Sequence, residues 1–174
     1  MLFNNLYKFS NTIAFQTEKK TISYKEITDF SKKISKIIPE RSLVFILCDN
    51  NEESLMGYVS FLINRVVPLL LESKLNSKGL KKLILNYKPE YLWLSKENLK
   101  DFLDKKIVYS DHGYYLIRIN ENSPKLNKEL ALLMSTSGST GSPKLVRLSY
   151  KNLYSNANSI SEYLSLSKSE IPIT

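Results

Sequence analysis

Alternation between short apolar runs and segments with helical periodicity constrains the fold of this chain more than any other feature. Runs at 43–48, 66–71 and 91–94 have the length and continuous apolar character of buried strands, and a shorter run at 107–109 ends the series. Between them, apolar residues recur every three or four positions, as in helices packed on a sheet. This pattern predicts parallel β/α units. We therefore expect an α/β fold with a largely parallel, doubly wound sheet and flanking helices over residues 43–109.

The segments on either side of these units complete the predicted architecture. Residues 1–42 are predicted to form a short helix, a hairpin and a longer helix that begins at a capping box, Ser23 with Glu26. Residues 130–149 are predicted to form a strand, a loop and a second strand, followed by a helix over residues 150–164. A chain of 174 residues can bury roughly 70% of its unfolded surface as one domain.

The loop between the last two predicted strands has an unusual composition. Every residue from 137 to 142 is a glycine, a serine or a threonine, and Pro143 and Lys144 follow. Glycine lets backbone N–H groups approach a ligand, hydroxyls add donors, and a lysine adds a charge suited to phosphate. A Walker loop is excluded, because its second glycine would fall where Pro143 stands. On composition alone, a phosphate-binding loop and a solvated loop remain as alternatives.

Charge and cysteine usage limit the partners that we expect. The chain has 25 Lys and Arg against 17 Asp and Glu, a net charge of +8 and a pI of about 9.4. No basic run reaches five residues, so we read most lysines as solvated and expect no nucleic acid and no membrane partner. The single Cys48 cannot form an intramolecular disulfide, and no signal peptide or spanning segment is visible. A cytoplasmic protein is the resulting expectation.

Few other residues are candidates for chemistry. His112 is the only histidine and lies in a predicted hairpin turn, where a solvated role is expected. Asp49, Glu52 and Glu53 follow a predicted strand and could hold Mg²⁺, although carboxylates at a helix start are commoner for dipole reasons. One cysteine and one histidine make no transition-metal site. No metal ligands are therefore assigned.

The loop resembles a known signature. Residues 136–144 read T-S-G-S-T-G-S-P-K and match the T-S-G-S/T-T-G-x-P-K phosphate loop of the adenylate-forming (AMP-binding) superfamily. Its members include acyl-CoA synthetases and the adenylation domains of peptide synthetases. Shorter likenesses occur in the family's order at 21–27, 66–69, 88–92 and 148–153. The chain departs from the family pattern at four places: Asn64-Arg65 replaces Ala-Gly, Leu71-Glu72 replaces Asn-Pro or Asp-Pro, Leu145 replaces Gly and Tyr150 replaces His.

The resemblance implies a function and a set of binding residues. It implies an ATP-dependent ligase that forms an acyl-adenylate from a carboxylic acid and passes the acyl group to a thiol. CoA and carrier-protein pantetheine remain alternative acceptors, and ATP with Mg²⁺ are the implied cofactors. The implied phosphate contacts are Thr136, Ser137, Gly138, Ser139, Thr140, Gly141 and Lys144. Alternatives that the residues leave open are a non-enzymatic module that keeps the fold and a basic nucleic-acid-binding protein.

The resemblance covers the N-terminal part of such an enzyme. In the family, the segments that bind the acid, the adenine and the ribose, and the catalytic lysine, come later in sequence. We therefore expect residues 1–174 to be the incomplete N-terminal portion of an AMP-binding domain, without a catalytic residue of its own. Such a fragment is expected to be inactive alone and to self-associate through apolar surface left uncovered.

Overall fold

A computed structural model describes Phe3 and residues 5–18, 20–122, 124–135, 145–167 and 170. The strands are β1 (Ile13–Gln16), β2 (Thr21–Ser23), β3 (Leu43–Cys48), β4 (Val67–Glu72), β5 (Tyr91–Ser95), β6 (Lys106–Asp111), β7 (Tyr114–Arg118), β8 (Leu130–Ser135) and β9 (Leu145–Ser149). The helices are α1 (Tyr24–Ser35), α2 (Glu52–Ile63), α3 (Ser77–Tyr87), α4 (Lys96–Leu99) and α5 (Tyr150–Tyr163), with 3₁₀ turns at Leu6–Phe9 and Lys100–Phe102. Among the described residues, no helix is long and apolar enough to cross a membrane.

Within the described residues, the main sheet has seven strands in the order β6-β7-β5-β3-β4-β8-β9. The four inner strands β5, β3, β4 and β8 are parallel. The outer strands β7, β6 and β9 pair antiparallel with their neighbours. The predicted α/β fold with a largely parallel sheet is confirmed. The last apolar run of the series forms β6, which joins the sheet by pairing with β7. The two strands are antiparallel, because a connection of only two residues cannot join parallel strands.

Helices cover both faces of this sheet, as predicted. Alternate residues of β3 point to opposite sides, because side chains of a strand alternate. Val44 and Ile46 pack toward α1 and α2, in a cluster with Phe30, Ile34 and Phe61 that we call the α1/α2 face. Leu43, Phe45 and Leu47 pack toward α3, in a cluster with Leu80, Leu83 and Phe102 that we call the α3 face.

Trp93 of β5 is the largest buried side chain and is 1% exposed. Its ring lies 5.9 Å from that of Phe30 and 6.3 Å from that of Phe61, measured between centroids. Its indole N–H donates to the carbonyl of Glu53 over 3.0 Å. A Cβ placed on Gly57 would lie 2.5 Å from Nε1 of Trp93, so glycine is what lets α2 approach the ring.

The capping box predicted for α1 is present. Ser23 Oγ accepts a hydrogen bond from the Glu26 backbone N–H at 3.2 Å, and the Glu26 carboxylate accepts one from the Ser23 backbone N–H at 2.8 Å. These hydrogen bonds from Ser23 lower the pKa of Glu26. The reciprocal bonds satisfy backbone donors that have no partner inside the helix. The sequence signal therefore fixes where α1 begins.

Three tyrosines make the stability of the protein sensitive to alkaline pH. Burial raises the pKa values of Tyr91, Tyr109 and Tyr114 from 10.0 to about 12. The folded state holds these protons more tightly than the unfolded chain, so their stabilising contribution is present below pH 10 and is lost as pH approaches 12. We expect the free energy of unfolding to fall steeply over this interval in chemical denaturation. Tyr109→Phe should flatten the fall, and a slope identical to that of the parent would contradict the assignment.

Candidate functional site

The carboxyl ends of the parallel strands β3, β4, β5 and β8 lie along one edge of the sheet. Ligands of open α/β sheets bind outside this edge. Ser135 at the end of β8 pairs with Leu145 at the start of β9. Both attachment points of the predicted phosphate loop therefore lie at the carboxyl edge. The predicted phosphate contacts Thr136, Ser137, Gly138, Ser139, Thr140, Gly141 and Lys144 lie outside the described residues.

A hydrogen-bonded cluster centred on Asp49 ties strand ends together at this edge. Tyr114 Oη donates to Asp49 Oδ2 at 3.0 Å, and Ser73 Oγ donates to Asp49 Oδ1. Asn51 Nδ2 donates to Tyr114 Oη at 2.9 Å, and Ser54 Oγ lies 3.0 Å from the same oxygen. These residues come from the end of β3, the end of β4, the start of β7 and the first turn of α2. We call them the Asp49 cluster.

Two of the candidate magnesium ligands, Asp49 and Glu52, accept hydrogen bonds from side-chain hydroxyls. Both Asp49 oxygens accept hydrogen bonds from hydroxyls, and Glu52 accepts one from Thr17 Oγ1 at 2.5 Å while being 7% exposed. Among the described residues, no group of three or more His, Cys, Asp or Glu side chains could hold a metal ion. Asp49 and Glu52 are therefore engaged in hydrogen bonds within the fold.

The cluster lies beside the start of the phosphate loop. Leu70 of β4 pairs with Met134 of β8, so the carboxyl ends of the two strands lie side by side, and Ser73 follows the end of β4. Burial raises the pKa of Tyr114 to about 12, so its phenol stays protonated at neutral pH and acts as a hydrogen-bond donor. The arrangement can hold strand ends in fixed positions at the edge where a nucleotide would bind. The sequence analysis missed Ser73 and Tyr114, because no local signal links them to Asp49.

Arg41 holds the opposite end of β8. Its Nη1 donates to the carbonyl of Leu130 at 2.8 Å and its Nη2 to the carbonyl of Asn127 at 2.6 Å. Its backbone φ is 67°, in the left-handed region, and its backbone N–H donates to the carbonyl of Arg65 at 3.0 Å. Arg41 thus fixes the start of the strand that leads into the phosphate loop.

Tyr150 fixes the junction between β9 and α5. Its hydroxyl donates to the carbonyl of Leu62 at the end of α2 over 3.0 Å. The guanidinium carbon of Arg65 lies 5.9 Å from the centre of its ring, a cation–π distance. Burial raises the pKa of Tyr150. The strand that leaves the phosphate loop is thereby anchored to the end of α2.

His112 lies apart from the Asp49 cluster, in the β6–β7 turn. Its φ is 45°, its side chain is 60% exposed, and its Nδ1 lies 2.6 Å from Asp111 Oδ1. Together with Asp111 it borders a cavity of about 210 Å³ between this turn and α1 and α2. Glu26 and Asp29 also line the cavity, and both are engaged elsewhere, in the capping box and with Lys32. The exposed turn position expected for His112 is what the structure shows.

The comparisons with known proteins agree with this architecture. A family model described as AMP-binding enzyme matches residues 2–171. This chain belongs to the AMP-binding enzyme family. No curated protein sequence gives a match.

Solved structures of adenylate-forming enzymes share the fold. The chain is similar to O-succinylbenzoate coenzyme A synthetase (MenE) from Bacillus subtilis in complex with AMP, with 20% identity and a TM-score of 0.68 over 95% of this chain and 47% of that one. The Vibrio cholerae adenylation domain AlmE, bound to glycyl-adenosine-5′-phosphate, gives 18% identity and a TM-score of 0.70 over 95% and 38%. The complex of VinN with 3-methylaspartate gives 22% identity and a TM-score of 0.71, over 95% of this chain and 51% of that one. The chain thus spans about half the length of these neighbours, or less.

Two departures from the pattern of the AMP-binding family meet in the structure. Arg65, where the family usually has glycine, has a φ of 55°, in the left-handed region that glycine occupies most readily. Tyr150, where the family usually has histidine, lies under the guanidinium of Arg65. Arg65 therefore has a backbone conformation that glycine adopts at lower cost, and the two replaced side chains contact one another.

Proposed function

We propose that this chain is the N-terminal, phosphate-binding part of an ATP-dependent ligase that activates a carboxylic acid. The observation that carries the proposal is that the phosphate-loop motif is attached, through Ser135 and Leu145, at the carboxyl edge of a parallel sheet. Membership of the AMP-binding family supports it. Neighbours include MenE from Bacillus subtilis in complex with ATP and magnesium ion, and with the acyl-adenylate intermediate OSB-AMP.

In the proposed reaction, a carboxylate oxygen of the substrate attacks the α-phosphorus of ATP. The bond from that phosphorus to the bridging oxygen breaks, and pyrophosphate leaves with the electron pair. The backbone N–H groups and hydroxyls of residues 136–141 and the Lys144 ammonium would stabilise the charge that develops on pyrophosphate. A thiolate, of CoA or of carrier-protein pantetheine, then attacks the acyl carbon, and AMP leaves.

The described residues hold strand ends in place for this reaction, and no metal ligand is assigned among them. The Asp49 cluster holds the ends of β3 and β4, and Arg41 holds the start of β8, so the strand ends beside the loop would be correctly placed when the site is closed. Mg²⁺ is proposed to accompany ATP and to share the charge of its phosphates. Both oxygens of Asp49 already accept hydrogen bonds from hydroxyls.

Residues 1–174 alone are proposed to be inactive. A phosphate loop supplies one wall of an ATP site, and ordering its residues costs roughly 1–2 kcal/mol each. A few charged hydrogen bonds, at roughly 1.5–3 kcal/mol each, barely offset that cost. We expect Mg-ATP affinity no better than about millimolar in calorimetric titration, and no pyrophosphate exchange with any acid. Four exposed apolar side chains on α5 and at its C-terminal cap also favour self-association of the fragment: Tyr154, Ile160, Tyr163 and Leu164.

Lys144→Ala in the full-length enzyme tests the site. Loss of a charge-assisted hydrogen bond to phosphate is expected to slow acid-dependent pyrophosphate exchange by about tenfold to a hundredfold. Lys128→Ala is the matched control, because Lys128 is an exposed lysine before the amino end of β8. Equal exchange rates in the two variants would remove Lys144 from the ATP site.

A further inference from the structure

The positive charge of this protein is distributed unequally between the two sides of the sheet. From Ser73 to Pro89 the chain has no Asp or Glu and five exposed lysines: Lys74, Lys78, Lys81, Lys82 and Lys88. On the opposite side, α1 and α2 together have three lysines against four carboxylates. The lysines of this segment therefore form a basic surface on α3, on the side of the sheet opposite α1 and α2.

The packing of α3 decides which of its side chains point away from the sheet. Leu80 and Leu83 are 4% and 5% exposed and face the core. Lys81 and Lys82 are exposed, and so is Leu85 at 73%. Leu85 follows these two lysines by four and three residues, so the three side chains lie on one helix surface, and Lys88 caps the end of the same helix. An exposed leucine thus lies inside the basic surface.

Two further apolar side chains are exposed on the same side of the sheet. Leu103 is 78% exposed and follows Phe102, which packs into the α3 face. Ile107 is 47% exposed and pairs across the β6–β7 ladder with Ile117, another member of that core, so it lies on the same side. The hydroxyl of Ser77 donates to Asp101 at 2.7 Å and joins the start of α3 to the turn before Leu103.

We propose that the basic surface on α3 attaches this protein peripherally to bilayers that contain anionic phospholipid. The lysines would lie among the headgroups, and Leu85 and Leu103 would enter the boundary of the acyl region. The neighbouring lysines can extend their ammonium groups to the phosphates while their stems cover apolar surface. This inference stands apart from the proposed ligase activity and replaces the sequence-based expectation of no membrane partner.

Lipid explains this surface better than nucleic acid does. Residues 73–89 contain no arginine, the side chain that most often reads bases, and their one aromatic residue, Tyr87, is half-buried against the α3 face. Contact with phosphates would not bury the two exposed leucines, whereas the acyl boundary of a bilayer would.

Vesicle co-sedimentation of residues 1–174 tests the proposal. We expect binding to vesicles of phosphatidylcholine mixed with phosphatidylglycerol, none to phosphatidylcholine alone, and weakening as salt is added. Lys81→Gln with Lys82→Gln should weaken binding about thirtyfold, since each lysine near an anionic surface contributes roughly fivefold. The matched control is Lys32→Gln with Lys33→Gln on α1, which removes the same charge from the opposite side and should change binding less than about threefold.

A second pair of variants separates lipid contact from simple charge attraction. Leu85→Gln with Leu103→Gln leaves the charge unchanged and is expected to weaken vesicle binding about tenfold. Both leucines are exposed, so circular dichroism should show an unchanged fold. The proposal is overturned if anionic vesicles do not bind, if the α1 control loses as much as the α3 variant, or if the leucine variant binds normally. Tighter binding to duplex DNA than to vesicles, lost in the α3 variant, would assign the surface to nucleic acid instead.

Discussion

Trp93→Ala is expected to lower the free energy of unfolding by about 4 kcal/mol. The indole is 1% exposed and packs against Phe30, Phe61 and Tyr114, so its removal leaves a large cavity at the centre of the α1/α2 face. The variant also removes the donor to the Glu53 carbonyl. The measurement is chemical denaturation followed by far-ultraviolet circular dichroism, because the variant lacks the only tryptophan.

Two controls make this prediction specific to the packing around Trp93. Leu103→Ala removes a side chain that is 78% exposed and should change stability by less than about 0.5 kcal/mol. Gly57→Ala should destabilise the parent by about 1–3 kcal/mol, because its new Cβ would meet the indole. In the Trp93→Ala background that penalty should nearly vanish. Additive effects of the two substitutions would show that α2 does not rest on this ring.

Arg118→Ala is expected to lower the free energy of unfolding by about 3 kcal/mol. Arg118 Nη2 donates to Glu90 Oε1 at 3.1 Å, and the Glu90 side chain is 7% exposed. The Ser42 hydroxyl also donates to this carboxylate, at 3.0 Å. Removing the guanidinium leaves a buried negative charge with a neutral donor in place of a cation, which is costly in a region of low dielectric.

The charge itself can be separated from the lost packing by a second substitution. Glu90→Gln in the Arg118→Ala background removes the buried charge at nearly constant volume and should recover half or more of the loss. Lys32→Ala is the exposed comparison: its bond to Asp29 spans 3.4 Å between side chains that are 76% and 49% exposed, and it should cost less than about 0.5 kcal/mol. If Glu90→Gln restores nothing, the effect belongs to the contact between Arg118 and the ring of Tyr91.

Local sequence patterns predicted which segments form helices and strands better than they predicted which segments contact one another. The inner strands were readable because a strand buried on both faces is apolar throughout, as Leu43–Cys48 is. The start of α1 was readable from Ser23 and Glu26. The order of the strands in the sheet was not readable. Periodicity shows which face of a strand is buried, and it does not show which strand is its neighbour. For the same reason the sequence did not link Tyr114 to Asp49, a partner 65 residues away.

The candidate site was predicted by its motif, and the structure adds the place where that motif is attached. The departures at Arg65 and Tyr150 were visible in the sequence, whereas their mutual contact required the fold. The lysines of α3 show the same limit. Their spacing predicts exposure, and which side of the sheet collects the charge depends on how α3 crosses it. Side-chain chemistry was therefore predictable wherever it was local to one element.

The attachment of β8 has a consequence for how the protein opens. β8 pairs with the parallel strands through Leu69 with Leu133 and Leu70 with Met134 alone, and within the described residues α5 has no buried side chain. β9 and α5 have no buried side chain among the described residues, so this end of the sheet is expected to open before its centre. A ligand that binds the closed form stabilises it by mass action. Nucleotide binding would then appear first as slower amide hydrogen exchange in β8 and β9, as a local folding equilibrium shifts toward the closed form.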